Sequence, residues 1–389
     1  MKFLSNHIVI LLLAVFVGIA IGYIMPDGAI PTILSVKQIC GQIIFFLVPL
    51  IIIGFVAPSI ANLQSGATRL ILFAFSLAYL SSLFAAFFSI GLGYTIVPLL
   101  NIQSAEGGRH LPEMLFNLDI PPLCSVISAL VIAVFIGLGT SWAKADTINK
   151  LLNEFQAIVL LLVNKVLLPI LPIFIAANFI VLSWQGDISR LWVFLPVLLI
   201  IILAHYIWLA VLYGIATIYS GKNSLKVLQH YGPAYLTAIG TMSSAATLGV
   251  ALQCAHKSPI LKKESIDFAV PLFANIHLCG SVLTEVFFIS VVSQLIYGSL
   301  PSFDQYLLFV VLLGIFAIGA PGVPGGTVLA SLGLIVSVLG FDETGTAMLI
   351  AIYALQDSFG TACNITGDGA LTLIVDTFIE KENNPKNKK

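Results

Sequence analysis

Charge is what this sequence has least of. Of 389 residues, 9% are Asp, Glu, Lys or Arg against 59% hydrophobic, and the mean hydropathy is +1.06. A soluble globule of this length needs far more polar surface, so the chain reads as an integral membrane protein. Paired cysteines are also lacking. Cys40, Cys124, Cys254, Cys279 and Cys363 show no paired spacing, which excludes a disulfide framework and gives no metal signature. The opening stretch from Met1 to Pro26 has a long apolar run and no persuasive small-residue cleavage site. It is therefore expected to be a retained span rather than a secretory signal. The balance of 17 basic and 18 acidic residues points to no partner by itself.

What is present is apolar length. Runs at 7–26, 38–60, 70–100, 121–143, 151–184, 190–220, 266–297 and 345–378 each reach the roughly 20 residues that a crossing requires. Eight crossings put both termini on one side. Lys2, Arg69, Lys144, Lys150, Lys222, Lys226, Lys257, Lys262, Lys263 and the tail lysines fall on that side, and only Lys37, Arg109 and Arg190 fall opposite. The positive-inside rule then predicts a multi-pass protein of the cell (inner or plasma) membrane with both termini cytoplasmic.

Two apolar segments are broken in the middle. Around 228–256 the interruption runs from Thr241 to Thr247, and around 303–340 from Gly319 to Thr327, the latter rich in glycine and proline. Arms of this length suit re-entrant hairpins better than full crossings. Non-helical backbone at membrane depth must be buried in protein or line a wet cavity, so both tips are predicted to meet inside the molecule. A small-residue packing seam for the first tip and an extramembrane loop for the second are the plainer alternatives. Interrupted segments in corresponding halves, each preceding one of the last two spans, point to a transporter's central site.

The last span supplies the chemistry. Asp357, Thr361, Asn364 and Asp368 follow one another at steps of four, three and four, which places all four on one helical face. An Asp at the centre of a lipid-facing helix costs about 2.5–3.5 kcal/mol, so the face needs partners, water or a cation. An aspartyl protease dyad is excluded, because the two Asp residues stand about 16 Å apart along one helix at about 1.5 Å per residue. Cys279 and His277 lie two apart and point to different sides of a helix, so they make no nucleophile pair. The chain is not expected to be an enzyme. His277, Ser281 and Glu285, at steps of four, are predicted to face one way, and both His277 and Glu285 are candidates for proton coupling, with ordinary buried hydrogen bonding as the bland alternative for each. His205 is expected to be structural, and Lys165 to snorkel or pair with a neighbour without a substrate role.

Gly322-Val323-Pro324-Gly325, the Asp357-to-Asp368 stripe ending in Asn364-Ile365-Thr366-Gly367-Asp368, and the Ser243-Ser244 tip together resemble the dicarboxylate/amino acid:cation symporter family, which includes the glutamate transporter homologues. The order of elements agrees along the whole chain. The resemblance implies an all-α integral membrane protein of eight transmembrane helices plus two re-entrant helical hairpins, with inverted repeats, assembled as a homotrimer and working as an elevator. Under it, 1–69 is mostly scaffold, 70–100 belongs to the transport part, and 101–220 is mixed. The two hairpins (225–258, 303–340) and the last two spans (265–298, 345–380) then build the site, ahead of a cytoplasmic tail at 381–389. Substrate-binding residues carried over are Ser243, Ser244, Ser281, Gly322, Val323, Asp357, Gly360, Thr361 and Asn364. Asp357 would hold an amino group, and Asn364 would face an α-carboxylate. Asp368, Asn364, Asn275, Ser81 and Ser82 would bind a cation. No cofactor is expected beyond the coupling ion, Na⁺ or H⁺. The partners are a small-molecule substrate, the lipid bilayer and further copies of the chain, with no nucleic acid.

Two departures narrow the reading. Gly360 stands where acidic-substrate members carry an arginine, so no guanidinium can pair with a side-chain carboxylate, and a neutral amino acid becomes the favoured cargo. His277-Leu278-Cys279-Gly280-Ser281 replaces the usual Asn-Met-Asp-Gly-Thr, and Ala78 replaces a tyrosine near Ser81 and Ser82. At least one sodium site is therefore expected to be lost or rebuilt. The alternatives are a proton-coupled carrier of another small organic anion, or an anion channel or receptor that has lost coupled transport.

Overall fold

A computed structural model describes residues 7–61, 68–100, 102, 111–116, 118–186, 194–320 and 325–383. These residues form helices and no strand. In order they are α1 (His7–Ile24), α2 (Ile30–Ala61), α3 (Thr68–Ile96), α4 (Val126–Ala143), α5 (Asp146–Leu162), α6 (Leu168–Gln185), α7 (Phe194–Ser220), α8 (Leu225–Leu228), α9 (Gly232–Thr241), α10 (Ser244–His256), α11 (Lys263–Ile276), α12 (Cys279–Tyr297), α13 (Phe303–Gly319), α14 (Gly326–Ser337) and α15 (Glu343–Asn383). Five runs are long and apolar enough to cross a membrane: Asp27–Pro58, Arg69–Leu100, Asp146–Gln185, Phe194–Ser220 and Lys263–Tyr297. α5 continues into α6 through a π-helical turn, Val163–Leu167, so the two make one long rod.

The helices run in the expected order, and several of their bounds differ from those expected. α2 starts at Ile30, well before the expected 38, because a short turn at Asp27–Ala29 feeds directly into it. The last helix runs from Glu343 to Asn383, longer at both ends than 345–378. The expected single helix at 266–297 is two helices, parted at His277 and Leu278, whose backbones are non-helical (φ −107°, ψ 106° and φ −122°, ψ 36°).

Packing separates the helices into two sets. α1 lies on α6, and α2 lies along α4, α5 and α6. α15 is the centre of the second set, touching α7, α9, α11 and α12, while α3 packs on α12 and α13. α12 is buried from Cys279 to Ser293 without a break, as expected of a helix apolar on every side and enclosed by neighbours. The sets meet where α13 and α14 touch α2, and where α15 touches α1 and α6. Large apolar side chains such as Phe135 and Ile218 stay exposed on the outer faces, which suits a hydrocarbon surround rather than water.

The interrupted segments form helix pairs that double back. α9 and α10 pack on each other and on α15, and α13 packs on α14. The first pair turns at Met242, which takes the left-handed conformation (φ 51°) that side chains seldom adopt. Ser243 Oγ then accepts from the N–H of Ala246 (3.2 Å), capping α10. The second pair re-enters helix at Gly325, also left-handed (φ 72°). That conformation is open to glycine without steric cost.

Candidate functional site

The two hairpins bring their ends to the polar face of α15. A cavity of about 20 Å³ is lined by Ser243 and Ser244 of the first hairpin, Gly326 and Thr327 of the second, Asn275 and Ser281 of the broken helix, and Asp357, Thr361 and Asn364 of α15. Six of the nine residues expected to bind substrate meet there. Gly322 and Val323 lie outside the described residues. Gly360 is buried and is not among the residues lining the cavity; a Cβ on it would meet the backbone of Ser281 at 3.4 Å, an ordinary contact. About 10–15 Å³ is enough for one water, so the cavity offers water-sized space and less than an amino acid needs.

Asp357 is buried, and its Oδ2 accepts from the N–H of Gly325 at 2.7 Å. A carboxylate at this depth needs a donor, and the second hairpin supplies one from its backbone. Asn364 lines the cavity and also holds the start of α12. Its Oδ1 accepts from the N–H groups of Gly280 (2.7 Å) and Ser281 (3.2 Å), and its Nδ2 donates to Ser281 Oγ (2.9 Å). The first turn of any helix has N–H groups with no internal partner, and Asn364 takes two of them for α12. This explains the break at 277–278: donors that would bond carbonyls four residues back are held by α15 instead.

The break also redirects His277. With the backbone extended there, the ring does not share a helical face with Ser281 and Glu285, contrary to the expected three-residue stripe. His277 Nδ1 lies 2.8 Å from Asp368 Oδ1, and Nε2 lies 2.9 Å from Ser81 Oγ. His277 and Asp368 are both completely buried. With Asp368 ionised, Nδ1–H donates to it and the pair satisfies a charge that could not stand alone here. Of the five cation candidates, Asp368 and Ser81 therefore come together through the imidazole. Ser82 is buried nearby in sequence with an unpartnered Oγ, and Asn275 lies by the ligand cavity, its Nδ2 donating to Pro271 O (2.8 Å). No cluster of three or more His, Cys, Asp or Glu side chains suited to a metal ion occurs among the described residues.

Glu285 faces a third direction. It accepts from Ser331 Oγ on α14, and its Oε2 has no partner among the described residues. His205 behaves as expected of a structural histidine, with Nε2 between Gly280 O (3.1 Å) and Thr284 Oγ1 (2.9 Å). Residues missed by sequence reasoning are Gly325, whose role is carried by a main-chain N–H, and Leu278 and Met242, which line the cavity as apolar residues.

The arrangement defines a helical membrane protein whose candidate binding residues come from two helix pairs, one broken helix and one continuous polar-faced helix. Residues 8–378 match the sodium:dicarboxylate symporter family, and the chain belongs to it. It is similar to excitatory amino acid transporter 3 of Bos taurus, at 28% identity over 263 residues, 66% of this chain and 49% of that protein. It is also similar to neutral amino acid transporter B(0) of Mus musculus, at 24% over 267 residues, 67% of this chain and 48% of that protein. With human excitatory amino acid transporter 3 the identity is 30% over 165 residues, 41% of this chain and 30% of that protein. The chain thus spans about half the length, or less, of these relatives.

Proposed function

We propose that this protein is a secondary active transporter that carries a small amino acid, neutral rather than acidic, together with a cation. The carrying observation is the capped carboxylate: Asp357 is held by a backbone N–H of the second hairpin inside a cavity too small for cargo. A substrate ammonium is a stronger partner for a buried carboxylate than a neutral amide N–H. Binding then replaces the Gly325 contact, and the hairpin must part from Asp357 to admit cargo and close again over it. The relatives named for excitatory and for neutral amino acids support an amino acid as cargo. Gly360 supports the neutral class, since no basic side chain stands there to meet a second carboxylate.

The wider reading has eight crossings and two re-entrant hairpins with cytoplasmic termini. The α1–α2 and α4–α6 set serves as the scaffold of a homotrimer, and the set around α15 moves as an elevator. Sodium is the coupling ion that the family's name supports. A specific observation favours the proton as second reading: His277, a group that can itself exchange a proton, takes Asp368 Oδ1, leaving Oδ2 as the carboxylate oxygen without a partner among the described residues. Uptake in proteoliposomes across labelled amino acids, with sodium and proton gradients imposed separately, tests both. Accumulation of alanine- or serine-sized substrates under one gradient is expected, and no accumulation under either would end the symporter reading. Asp368→Asn should change ion dependence more than substrate preference, and Glu285→Gln should leave sodium-driven uptake intact while slowing any proton-driven uptake.

A further inference from the structure

Tyr353 stands one helical turn before Asp357 on α15, so the two share a face. It is fully buried, and its hydroxyl has no hydrogen-bond partner among the described residues. The side chains of Asp357, Ser281 and Thr327 face that hydroxyl, yet none bonds it with normal geometry. A buried hydroxyl left unbonded costs free energy, and phenylalanine would fill the same space without that cost. The hydroxyl therefore calls for a partner that comes and goes.

Asp357 borders two small cavities. One is the cavity at the hairpin ends, which also takes in Ser281 and Thr327. The other, again about 20 Å³, lies on the Tyr353 side, where Leu168 of α6, Val328 and Leu329 of α14 and Ile350 of α15 make an apolar wall. Gly325 lines this second space and Gly326 the first, so the hydrogen bond from Gly325 to Asp357 stands at the partition. Each space alone holds about one water. Parting the hairpin from Asp357, as cargo entry requires under the proposed function, would join them with the carboxylate in the middle.

Within the joined space the partners are ordered. An α-amino acid with its ammonium on Asp357 and its carboxylate toward Asn364 and the first hairpin would have its side chain directed to Tyr353. Among the described residues lining the two cavities Asp357 alone is charged, so the remaining polar partners suit an uncharged side chain. Ser281 Oγ accepts from Asn364 Nδ2. Tyr353 keeps both its donor and its acceptor capacity, which a hydroxyl matches because it offers the same pair.

We propose that Tyr353 selects the cargo's side chain, its hydroxyl bonding the β-hydroxyl of serine or threonine. The inference rests on the reading of Asp357 as the ammonium's partner. Threonine's methyl group then lies against the apolar wall. An apolar cargo of the same size leaves the tyrosine hydroxyl unpaired, and a site built around a buried hydroxyl rejects such analogues.

The test is calorimetric titration of the full chain in sodium buffer with two near-isosteric pairs, threonine with valine and serine with alanine. The unmodified protein should favour the hydroxyl-bearing member of each pair by about tenfold or more. Tyr353→Phe keeps the ring and should bring both ratios to within about twofold of unity, while the melting temperature without cargo stays the same or rises. Ratios that are equal in the two proteins, tighter binding of valine or alanine by the unmodified protein, or a lower melting temperature of cargo-free Tyr353→Phe would overturn the proposal and leave the amino acid reading in place. Binding of none of the four amino acids by the unmodified protein would end both.

Discussion

The two hairpins solve the same problem in opposite ways. The first turns back on its own resources: Met242 takes the left-handed turn, Ser243 Oγ caps the returning helix, and Thr241 Oγ1 meets Thr247 Oγ1 at 2.9 Å. At the second, Gly325 has no side-chain cap, and its N–H goes instead to Asp357, 32 residues further along the chain. A tip that satisfies its own backbone can stay put whatever occupies the site. A tip whose donor sits on the carboxylate that would hold cargo is tied to cargo's arrival. Under the proposed function the second hairpin would serve as the gate, and the first as the fixed wall.

Asp357→Asn should break the contrast most severely. Truncating one partner of a buried charged contact costs about 2–5 kcal/mol, so affinity for an amino acid should fall by at least about thirtyfold, as read by calorimetric or radioligand binding. Undiminished affinity would show that cargo lacks an amino group or binds elsewhere. Gly325→Ala comes next, because φ 72° suits glycine and strains alanine by about 1–2 kcal/mol. Its expected signature is a gate that opens more readily, seen as faster labelling of a Thr361→Cys cavity cysteine in the Gly325→Ala background than with Gly325 intact. Ser243→Ala should cost about 1 kcal/mol of stability through the lost cap, with a lower melting temperature and little change in gate opening. If Ser243→Ala opened the gate as Gly325→Ala does, the division of roles would fail.

The smallest effect is expected at the base of the first hairpin. Lys222 Nζ bridges Asp376 Oδ2 and Glu380 Oε1, each at 3.0 Å, and Lys262 Nζ reaches Glu380 at 3.1 Å. Burial alone would raise the Glu380 carboxyl, but hydrogen bonds from Lys222 and Lys262 outweigh it and hold it below the usual carboxylate range. A group lowered in this way contributes stability above its ordinary range, and that contribution is lost as pH falls through the lowered value. Lys222→Met should therefore flatten the acid limb of a melting-temperature profile by a small margin and leave transport near neutral pH unchanged. An unchanged acid limb would show that the cluster does not contribute.

The sequence made the helix order legible because apolar length and interruption are both written in residue types. The helix pairs and the α15 face emerge where glycine, proline and spaced polar residues put them. What it did not show depended on main-chain groups. Asn364 looks like a ligand donor in sequence, and its amide oxygen also holds the start of α12, whose existence requires the break that Asn364 itself stabilises. His277, Ser281 and Glu285 have helical spacing, and only the extended backbone at His277 sends the ring to Asp368 and Ser81. Gly360 was legible as a missing arginine and illegible as a contact surface for Ser281. Spacing rules assume one uninterrupted helix, and the site is built where that assumption ends.

The Gly325 contact also bears on fidelity. An empty carrier with a bare buried carboxylate would attract stray cations and could ferry them without cargo, dissipating the gradient that drives it. Here that carboxylate accepts a hydrogen bond from the chain's own amide, in space that admits little more than a water. Under the proposed function the unloaded protein would have little to offer a lone ion, and leakage would be curbed by the same bond that cargo displaces.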